Sequence, residues 1–495
     1  MQLPVGQIIQ VLTGYSPESE GGIAQEASAL ATSEDGFKIV DPLDHRRLVT
    51  GITWDSRQVG KDEAFLAIKG DKVDGNECIP QALSRGAALI IATAPVTQRV
   101  QALAAELGAA IVLYEDPQRA LARLAAYNRQ TLACPVVGIT GSTGKTTTKD
   151  LVRAVLSSHL EVVATAGNRN NELGVPATVL EADGTTGALV VEMGMRGKGQ
   201  LEGLCRFVLP TIGLISNIGV THAELLGSQE NIAKAKSELI AALPFRTGTA
   251  VLNADDPFTP FIERHAATQD RGIRVVTFGC SPDADVRATD VALDETGRAS
   301  FTLMVPGEQG ISVRLSLPGR HNVSNALSAA AVGYVCGIDA TSIAQALSTA
   351  EGTAMRLEIV TGHRGARIVN DTYNANPDSM RAALALIADL PCDGRRIAVL
   401  GDMGELGSEE AKLHREVGQA AVERNIDMLV TVGALGHEIA AGARAAGMCD
   451  DSVIEVDDTD AATSLLDNTV GAGDLVLVKA SRFMEFEHIV EGLVS

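Results

Sequence analysis

The chain has 495 residues, 45% of them hydrophobic, so it can bury more than one core, and we predict two to four domains. Its 62 acidic residues outnumber the 41 lysines and arginines, which gives a formal net charge of -21. This charge argues against a general affinity for nucleic acid or anionic membranes. A phosphate ligand would therefore need a local site.

The cysteines and the N-terminal sequence indicate in which cellular compartment the protein resides. The seven cysteines stand singly, without a CxxC pair or the spacing typical of a zinc site or a disulfide framework. Residues 1–14 have no basic start and no long apolar run, and no segment sustains the roughly 20 apolar residues that span a bilayer. We expect a cytoplasmic, monomeric protein with no nucleic-acid or membrane partner.

The first 115 residues have the pattern of a small α/β domain. Residues 14–43 are rich in Gly, Ser, Ala and acidic residues, and we interpret them as a mobile surface insertion. Residues 64–68 and 88–92 are short apolar runs separated by helix-like sequence. Residues 121–132 are predicted to form a linker helix that leads into a second domain.

Two further alternating series follow, and no fixed-period repeat is visible, which excludes solenoids and propellers. Between residues 116 and 350 the alternation of strands with helices favours a parallel sheet wrapped by helices. A second series from residue 351 to 495 favours a separate Rossmann-like domain. The predicted strands are 135–140, 189–192, 211–217, 249–252 and 274–278 in the first series, and 367–370, 396–400, 428–432 and 475–479 in the second.

The sharpest motif is PVVGITGSTGKTTTKD at residues 135–150, in which an apolar run meets a Gly-rich turn and then a helix. The glycines permit close backbone approach to phosphates, Lys145 meets their charge, and Thr146 is suited to hold magnesium. The spacing differs from the standard eight-residue loop, because Ile139 stands where its first glycine would be. The pattern predicts nucleotide binding but names no reaction. The predicted site comprises Gly141, Ser142, Thr143, Gly144, Lys145, Thr146 and Thr147.

Four other segments carry polar residues that suit a shared site. VVEMG ends a predicted strand at Glu192, where a metal ligand would stand, and NIGVTH ends at His222. AKAKSEL places Lys234 and Lys236 on different faces of a helix, so at most one of them points into a site. TAGNRNNELGVP crowds Asn and Gly into a turn. Taken singly, these residues are equally compatible with a solvated glutamate, a surface histidine, solvated lysines and a structural loop.

Together the segments resemble the Mur ligase family, from residue 49 onward. The motifs GITGSTGKTTTKD, TAGNRNNELGVP, VVEMG, NIGVTH, AKAKSEL, LNADD, PGRHNVSNALSAAA, NDTYNANPDSM and GDMGELG occur in the order typical of that family. The resemblance is strongest with members that add D-alanyl-D-alanine to a UDP-N-acetylmuramoyl tripeptide. It implies an ATP-dependent amide-bond ligase with three domains: an N-terminal UDP-substrate domain (1–115), a central P-loop ATP-binding domain (116–350) and a C-terminal amine-binding domain (351–495).

The resemblance also implies a nucleotide and metal site. Lys145 would contact the terminal phosphates, while two magnesium ions would be served by Thr146, Glu192, His222 and Lys236, the last of these carbamylated. Met355 stands where relatives usually carry glycine, which is a departure in the turn before Arg356. The residues implied as catalytic are Lys145, Lys236, His222 and Glu192, and those implied to reach the nucleotide from later segments are His321, Asn322, Asn325, Arg356 and Asp371.

The implied substrate residues come from three segments. TWDSR and AIKGD resemble the uridine-nucleotide module, and NANP with GDMGEL resembles the dipeptide-adding members. The residues implied to contact substrates are Ser56, Arg57, Lys69, Gly70, Asn168, Asn171, Tyr373, Asn374 and Asn376.

Three alternatives remain open. One is a Mur ligase that adds the third amino acid, lysine or diaminopimelate. Another is folylpolyglutamate synthase, which the N-terminal substrate module disfavours. The third is a non-catalytic P-loop switch.

Overall fold

The computed structural model describes residues 2–14, 38–40, 45–70, 73–219 and 226–494. These residues fall into two compact units. Unit 1 comprises the described residues up to Val136 together with Glu161–Met193 and Gly203–Pro210. Unit 2 comprises Val137–Leu160, Gly194–Glu202 and the described residues from Thr211 onward. Within the described ranges, no helix is both long enough and apolar enough to cross a membrane.

The N-terminal sheet has the strand order β2-β7-β6-β5-β4 and is parallel apart from β2, which runs antiparallel to β7. Strands β5 and β6 are buried throughout because helices cover a parallel sheet on both faces. The elements are β1 (Leu3–Pro4), α1 (Val5–Thr13), β2 (Lys38–Val40), β3 (Leu48–Val49), β4 (Ile52–Thr53), β5 (Ala64–Ala67), α2 (Ile79–Ser84), β6 (Leu89–Ala92), α3 (Gln98–Glu106), β7 (Ala110–Leu113) and α4 (Pro117–Gln130).

Strand β2 corrects part of the sequence interpretation. It lies inside the segment 14–43, which was interpreted as a surface insertion, and it pairs with β7. A run of three residues is too short to show a periodic pattern. Residues 15–37 and 41–44 of that segment lie outside the described residues.

The middle of the chain forms a sheet whose first strands are parallel and whose last strands are antiparallel. In unit 2 the order is β16-β15-β14-β13-β12-β11-β8, parallel from β8 to β14 and antiparallel from β14 to β16, and in unit 1 β9 and β10 form a parallel pair. The elements are β8 (Val136–Thr140), α5 (Lys145–Ser157), β9 (Val162–Ala164), α6 (Gly174–Glu181), β10 (Ala188–Glu192), α7 (Gln200–Val208), β11 (Ile212–Ile215), α8 (Gln229–Ala241), β12 (Thr249–Asn253), α9 (Thr259–His265), β13 (Arg274–Gly279), β14 (Val286–Leu293), β15 (Arg298–Met304), β16 (Ile311–Pro318), α10 (His321–Val335) and α11 (Ala340–Thr349).

The C-terminal sheet of unit 2 has the order β17-β18-β22-β19-β20-β21, and only β17 is antiparallel to its neighbour. Helices α12, α13 and α14 pack on one face of this sheet, and α15 and α16 pack on the other. The elements are β17 (Glu358–Thr361), β18 (Arg367–Asn370), α12 (Pro377–Asp389), β19 (Arg396–Gly401), α13 (Glu410–Glu423), β20 (Met428–Val432), α14 (Gly436–Ala445), β21 (Val453–Val456), α15 (Thr459–Thr469), β22 (Leu475–Lys479) and α16 (Glu487–Val494).

The predicted α/β class is confirmed in the three sheets. In the C-terminal sheet, β22 inserts between β18 and β19, which is a topological switch point. At such a point the loops leaving the carboxyl ends of neighbouring strands diverge and leave a crevice for ligands.

Candidate active site

The phosphate loop lies between the buried strand β8 and helix α5. Gly144 precedes the helix with a φ of 76°, in the left-handed region, and a Cβ built on it would lie 2.4 Å from Oδ1 of Asn325. Glycine is therefore required at this turn, and the first N–H groups of α5, which follow it, are suited to bind an anion. Thr147, in the first turn of α5, is half-buried.

Asn217, which follows strand β11, holds the phosphate loop in shape. Its backbone carbonyl accepts a hydrogen bond from the N–H of Ser142 at 3.1 Å, and its Oδ1 accepts one from the N–H of Thr143 at 3.0 Å. Lys145 Nζ donates to the carbonyl of Gly141 at 2.7 Å and that of Ser142 at 3.3 Å. Asn217 was not among the predicted site residues, although its place after a strand was an available signal.

Thr146 and Arg356 link helix α5 to the C-terminal part of unit 2. Thr146 is buried, and its Oγ1 accepts a hydrogen bond from Nη2 of Arg356 at 3.1 Å. The Arg356 guanidinium lies 4.2 Å from the ring centroid of Tyr373. Its Nε is buried and has no hydrogen-bond partner among the residues that the structure describes. Nearby, the Thr353 hydroxyl donates to the Asp150 carboxylate.

Met355 adopts a turn conformation that glycine usually occupies. Its φ is 60°, a left-handed conformation that costs a non-glycine residue roughly 1–2 kcal/mol. Its carbonyl accepts a hydrogen bond from the N–H of Tyr373 at 3.2 Å. The turn is therefore formed with methionine at this position, and Arg356 is directed at Thr146.

Asn322 and Asn325 hold helix α10 to helix α5. Asn325 Oδ1 accepts a hydrogen bond from the Thr148 hydroxyl at 3.3 Å, and its Nδ2 donates to Oδ1 of Asn322 at 2.8 Å. Asn322 Nδ2 donates to the carbonyl of Pro318 at 2.7 Å. His321, at the start of α10, has an exposed side chain.

Lys236 and Lys234 lie on different faces of helix α8, as their spacing predicts. Lys234 is exposed and pairs with Glu230 one turn earlier, at 2.8 Å. Lys236 is only 1% exposed. Burial, and then the nearby positive charge of Lys145, lower the pKa of Lys236 well below its usual range. A neutral amine is therefore favoured at Lys236.

Glu192 ends strand β10 in unit 1 and is 1% exposed. Its Oε1 accepts a hydrogen bond from Nδ2 of Asn170 at 2.8 Å, and its backbone N–H donates to the Thr165 hydroxyl at 3.0 Å. The second carboxylate oxygen, Oε2, is buried without a hydrogen-bond partner in the described part of the chain. Asn170, the residue that orients this carboxylate, was not among the predicted site residues.

The two other asparagines of that loop have different surroundings. Asn168 is exposed, whereas Oδ1 of Asn171 accepts a hydrogen bond from the N–H of Gly174 at 2.9 Å and so supports the start of α6. The side chain of Asn171 is therefore already engaged in the loop. Between them, the Arg169 guanidinium lies 6.0 Å from the ring centroid of Trp54, also in unit 1.

The predicted uridine-binding residues lie in turns of the N-terminal sheet. Ser56 is buried, and its hydroxyl donates to Oε1 of Gln81 at 2.7 Å. The Arg57 side chain is 81% exposed while bound to the carboxylate of Asp55. Lys69 and Gly70 are exposed at the turn after β5.

Asp371 and the residues after it form the turn at the carboxyl end of β18. Asp371 is buried, and its Oδ2 lies 2.6 Å from Nζ of Lys479. Asn374 is exposed. Asn376 caps helix α12, because its Oδ1 accepts a hydrogen bond from the N–H of Ser379 at 2.9 Å. Lys479 was not among the predicted site residues.

The predicted metal residues are only partly covered by the described ranges. His222 lies outside the described residues. Among the residues that are described, no group of three or more His, Cys, Asp and Glu side chains is arranged to hold a metal ion. The predicted metal ligands do not include three such side chains. They are the carboxylate of Glu192, the hydroxyl of Thr146, a modified Lys236 and His222.

Three families of domains match the chain in sequence. Residues 48–129 match the Mur ligase family catalytic domain, residues 139–333 the Mur ligase middle domain, and residues 355–482 the Mur ligase glutamate ligase domain. Together these matches cover most of the chain and include the phosphate loop, Lys236 and Asp371.

Relatives and solved structures agree with these matches. The chain is 40% identical to a UDP-N-acetylmuramoyl-tripeptide--D-alanyl-D-alanine ligase of Mycobacterium tuberculosis, over 92% of this chain and 94% of the relative. It is similar to MurF from Acinetobacter baumannii, with a TM-score of 0.82 and 28% identity over 100% of this chain and 99% of that one. It is also similar to MurF ligase from Thermotoga maritima in complex with ADP, with a TM-score of 0.72 and 26% identity over 90% and 97% of the two chains.

Proposed function

The chain belongs to the Mur ligase family, and we propose that it joins D-alanyl-D-alanine to a UDP-N-acetylmuramoyl tripeptide in an ATP-dependent reaction. The observation that carries this proposal is the buried amine of Lys236, whose pKa is lowered by burial and then by the charge of Lys145 on the phosphate loop. A loop that only bound and released nucleotide would need no neutral amine there. Residues 1–115, 116–350 and 351–495 would bind the UDP substrate, ATP and the amine, respectively.

Two features of the described residues fit a divalent cation. The Oε2 atom of Glu192 is a buried carboxylate oxygen without a hydrogen-bond partner among the described residues. Lys236 favours its neutral form, which can add carbon dioxide and become an anionic oxygen donor suited to magnesium. Thr146 and His222 would complete the set. When bound, magnesium would neutralise charge on the phosphate oxygens and on the substrate carboxylate.

The first chemical step activates the carboxylate of the tripeptide. One of its oxygens attacks the γ-phosphorus of ATP, the bond from that phosphorus to the β-phosphate oxygen breaks, and acyl phosphate and ADP result. Lys145 and the N–H groups at the start of α5 would hold the phosphates. Arg356 would add positive charge, and its buried Nε still lacks a partner among the described residues.

The second step forms the amide. The neutral amine of D-alanyl-D-alanine attacks the acyl carbon, a tetrahedral intermediate forms, and the carbon–oxygen bond to phosphate breaks as the amine releases a proton. The turn that carries Tyr373, Asn374 and Asn376 would position the amine. Because water would also attack the acyl phosphate, the site must exclude solvent during this step.

Phosphate release tests the proposed function. The purified protein is incubated with ATP and magnesium, and phosphate is measured with the UDP-N-acetylmuramoyl tripeptide alone, with D-alanyl-D-alanine alone and with both. We expect sustained release only with both substrates, together with one amide product per phosphate by mass spectrometry. Release without either substrate would contradict the proposal and favour a P-loop switch.

Replacing the amine separates the remaining alternatives. A member that adds the third amino acid would use lysine or diaminopimelate with a UDP-N-acetylmuramoyl dipeptide, and folylpolyglutamate synthase would use glutamate with a folate. We expect product only with D-alanyl-D-alanine and the tripeptide. Preferential use of a single amino acid would assign the chain to one of the other reactions.

A further inference from the structure

Lys479 is a buried lysine for which the proposed reaction has no assigned use. It is the last residue of β22, the strand that inserts between β18 and β19, and it is only 1% exposed. Lysine is almost never fully buried unless it is paired. The surroundings of its ammonium group therefore indicate what it does.

The ammonium group of Lys479 has acceptors on one short segment. It lies 2.6 Å from Oδ2 of Asp371, donates to the carbonyl of Asn374 at 2.8 Å, and lies 3.5 Å from the carbonyl of Asp371. An ammonium group has three N–H donors, so all of them can be directed at this segment. Lys479 thereby fixes both a side chain and the backbone path of the turn after β18.

The charges around this turn support that arrangement. Burial lowers the pKa of Lys479, the carboxylate of Asp371 opposes that shift, and the nearby charge of Arg356 adds to the lowering. The carboxylate of Asp371 is thus the anion that makes a buried cation at Lys479 tolerable.

The segment fixed by Lys479 carries two sets of predicted contacts. Asp371 is predicted to reach the nucleotide, and Tyr373, Asn374 and Asn376 are predicted to bind the amine. Tyr373 also lies under the guanidinium of Arg356, which donates to Thr146 on the phosphate-loop helix. A shift of this short turn would displace both sets together.

We propose that Lys479 is a positioning residue that holds Asp371 and the turn to Asn376 in one conformation, and so couples nucleotide contact to amine recognition. This inference rests on the proposed function. A merely structural role would stabilise the domain without affecting one substrate more than another.

A second ion pair, next to the first residue of β22, provides a matched control. Arg395 Nη2 lies 2.7 Å from Oδ2 of Asp474, the residue just before β22, at the opposite end of the strand from Lys479. Asp474 is buried, and none of the predicted contacts lies at this end. Arg395→Met therefore removes an ion pair from the same domain without touching the turn after β18.

The test compares Lys479→Met, Asp371→Asn and Arg395→Met with the wild type in steady-state kinetics, varying each of the three substrates in turn. We expect Lys479→Met and Asp371→Asn to raise KM for ATP and for D-alanyl-D-alanine about tenfold or more. The KM for the UDP-tripeptide should stay within about twofold, since its predicted contacts are mostly residues of unit 1. Arg395→Met should leave all three KM values within about twofold of the wild type.

The outcomes separate this inference from the function on which it rests. If the wild type forms no amide from the three substrates, the proposed function fails. If the wild type is active and Lys479→Met matches it, or changes all three KM values alike, only the inference is overturned. Circular dichroism establishes that each variant is folded. If Lys479→Met does not fold, the KM of Asp371→Asn for D-alanyl-D-alanine decides the question, because Asp371 is predicted to contact the nucleotide and not the amine.

Discussion

Lys236 is the residue whose predicted chemistry differs most from that of an ordinary surface lysine. Burial and the charge of Lys145 keep its pKa well below the usual value. Carbamylation requires the neutral amine, so the lowered pKa favours the modification, which should be lost as pH falls through that pKa. We expect Lys236→Ala to lower kcat by about 100-fold, in line with the loss of a group that supports a metal site.

A control and a rescue test this prediction. Lys234→Ala changes the other lysine of the same helix, which pairs with Glu230 and lies 6.0 Å from the ring centroid of Phe261, and should keep nearly full activity. Short carboxylic acids should restore part of the activity of Lys236→Ala, because they return an oxygen donor to the space left by the side chain. Full activity of Lys236→Ala without added acid would rule out the carbamate.

Some residues of the candidate site could be predicted from sequence, and others could not. The choice between Lys234 and Lys236 was constrained by helix geometry, because residues two apart face different directions. Asn170 and Lys479 were missed because each is defined by a partner across the fold, Glu192 or Asp371, the latter 108 residues away along the chain. From the sequence alone, a buried lysine at the end of a strand cannot be distinguished from an ordinary solvated lysine.

The loop between β8 and α5 is the element on which nucleotide binding depends. Gly144→Ala should lower the stability of the protein by roughly 1–2 kcal/mol for the left-handed conformation, and more for the contact with Asn325. The displaced loop should weaken ATP binding about tenfold or more. Calorimetric titration with an ATP analogue and thermal denaturation measure the two effects separately.

Gly337 supplies the matched control for this loop. It has a φ of 79°, close to that of Gly144, but nothing lies within 4 Å of a Cβ built on it. Gly337→Ala should therefore carry only the conformational cost and bind the analogue as the wild type does. Equal loss of binding in both variants would show that general destabilisation, and not the geometry of the loop, is responsible.

The turn after β19 should respond to pH through His414. This buried side chain accepts a hydrogen bond at Nε2 from the N–H of Met403 at 2.9 Å, and its Nδ1 lies 2.7 Å from the carbonyl of Glu410. Both contacts are satisfied by the neutral ring with the proton on Nδ1. Burial lowers the pKa of His414 below its usual 6.5, although the Glu410 carbonyl and nearby carboxylates oppose that shift.

The sign of the pH effect follows from this lowered pKa. Below pH 6.5 the unfolded chain binds a proton that the folded chain resists, so the free energy of unfolding falls until the folded pKa is reached. The loss is about 1.4 kcal/mol for each unit by which the pKa is lowered. We expect His414→Gln to be less stable than the wild type at pH 7.5 and to lose less stability at pH 5.5. Parallel losses in denaturation curves of the two proteins would contradict this.

The elements predicted best are those of the parallel sheets. Strands β18, β20 and β22 were predicted with the bounds that the structure has, because buried parallel strands read as continuous apolar runs. Strands β14, β15 and β16 were not predicted. Their residues alternate between buried and more exposed positions, and such short alternation is a weaker signal within an α/β chain.

For the whole molecule, the three sheets of the α/β fold agree with the series of strands and helices that the sequence shows. The division at residues 115 and 350 stays a prediction. Contacts within unit 2 show what links its central and C-terminal parts: Arg196 and Glu405 form an exposed ion pair at 3.0 Å, and Arg356 donates to Thr146. An exposed ion pair contributes little stability, so the contact between Arg196 and Glu405 suits parts that separate and rejoin.

The chemistry requires such movement, because the acyl phosphate must be shielded from water and still meet the amine. We predict that an ATP analogue together with the UDP-tripeptide contracts the protein toward the radius of gyration of about 23 Å expected for a compact chain of 495 residues. Small-angle X-ray scattering measures this change. Gly144→Ala should contract only at an analogue concentration about tenfold higher or more, because it binds the nucleotide more weakly. If the wild type keeps its dimensions at ligand concentrations that calorimetry shows to be saturating, then closure is not the way this protein protects its intermediate.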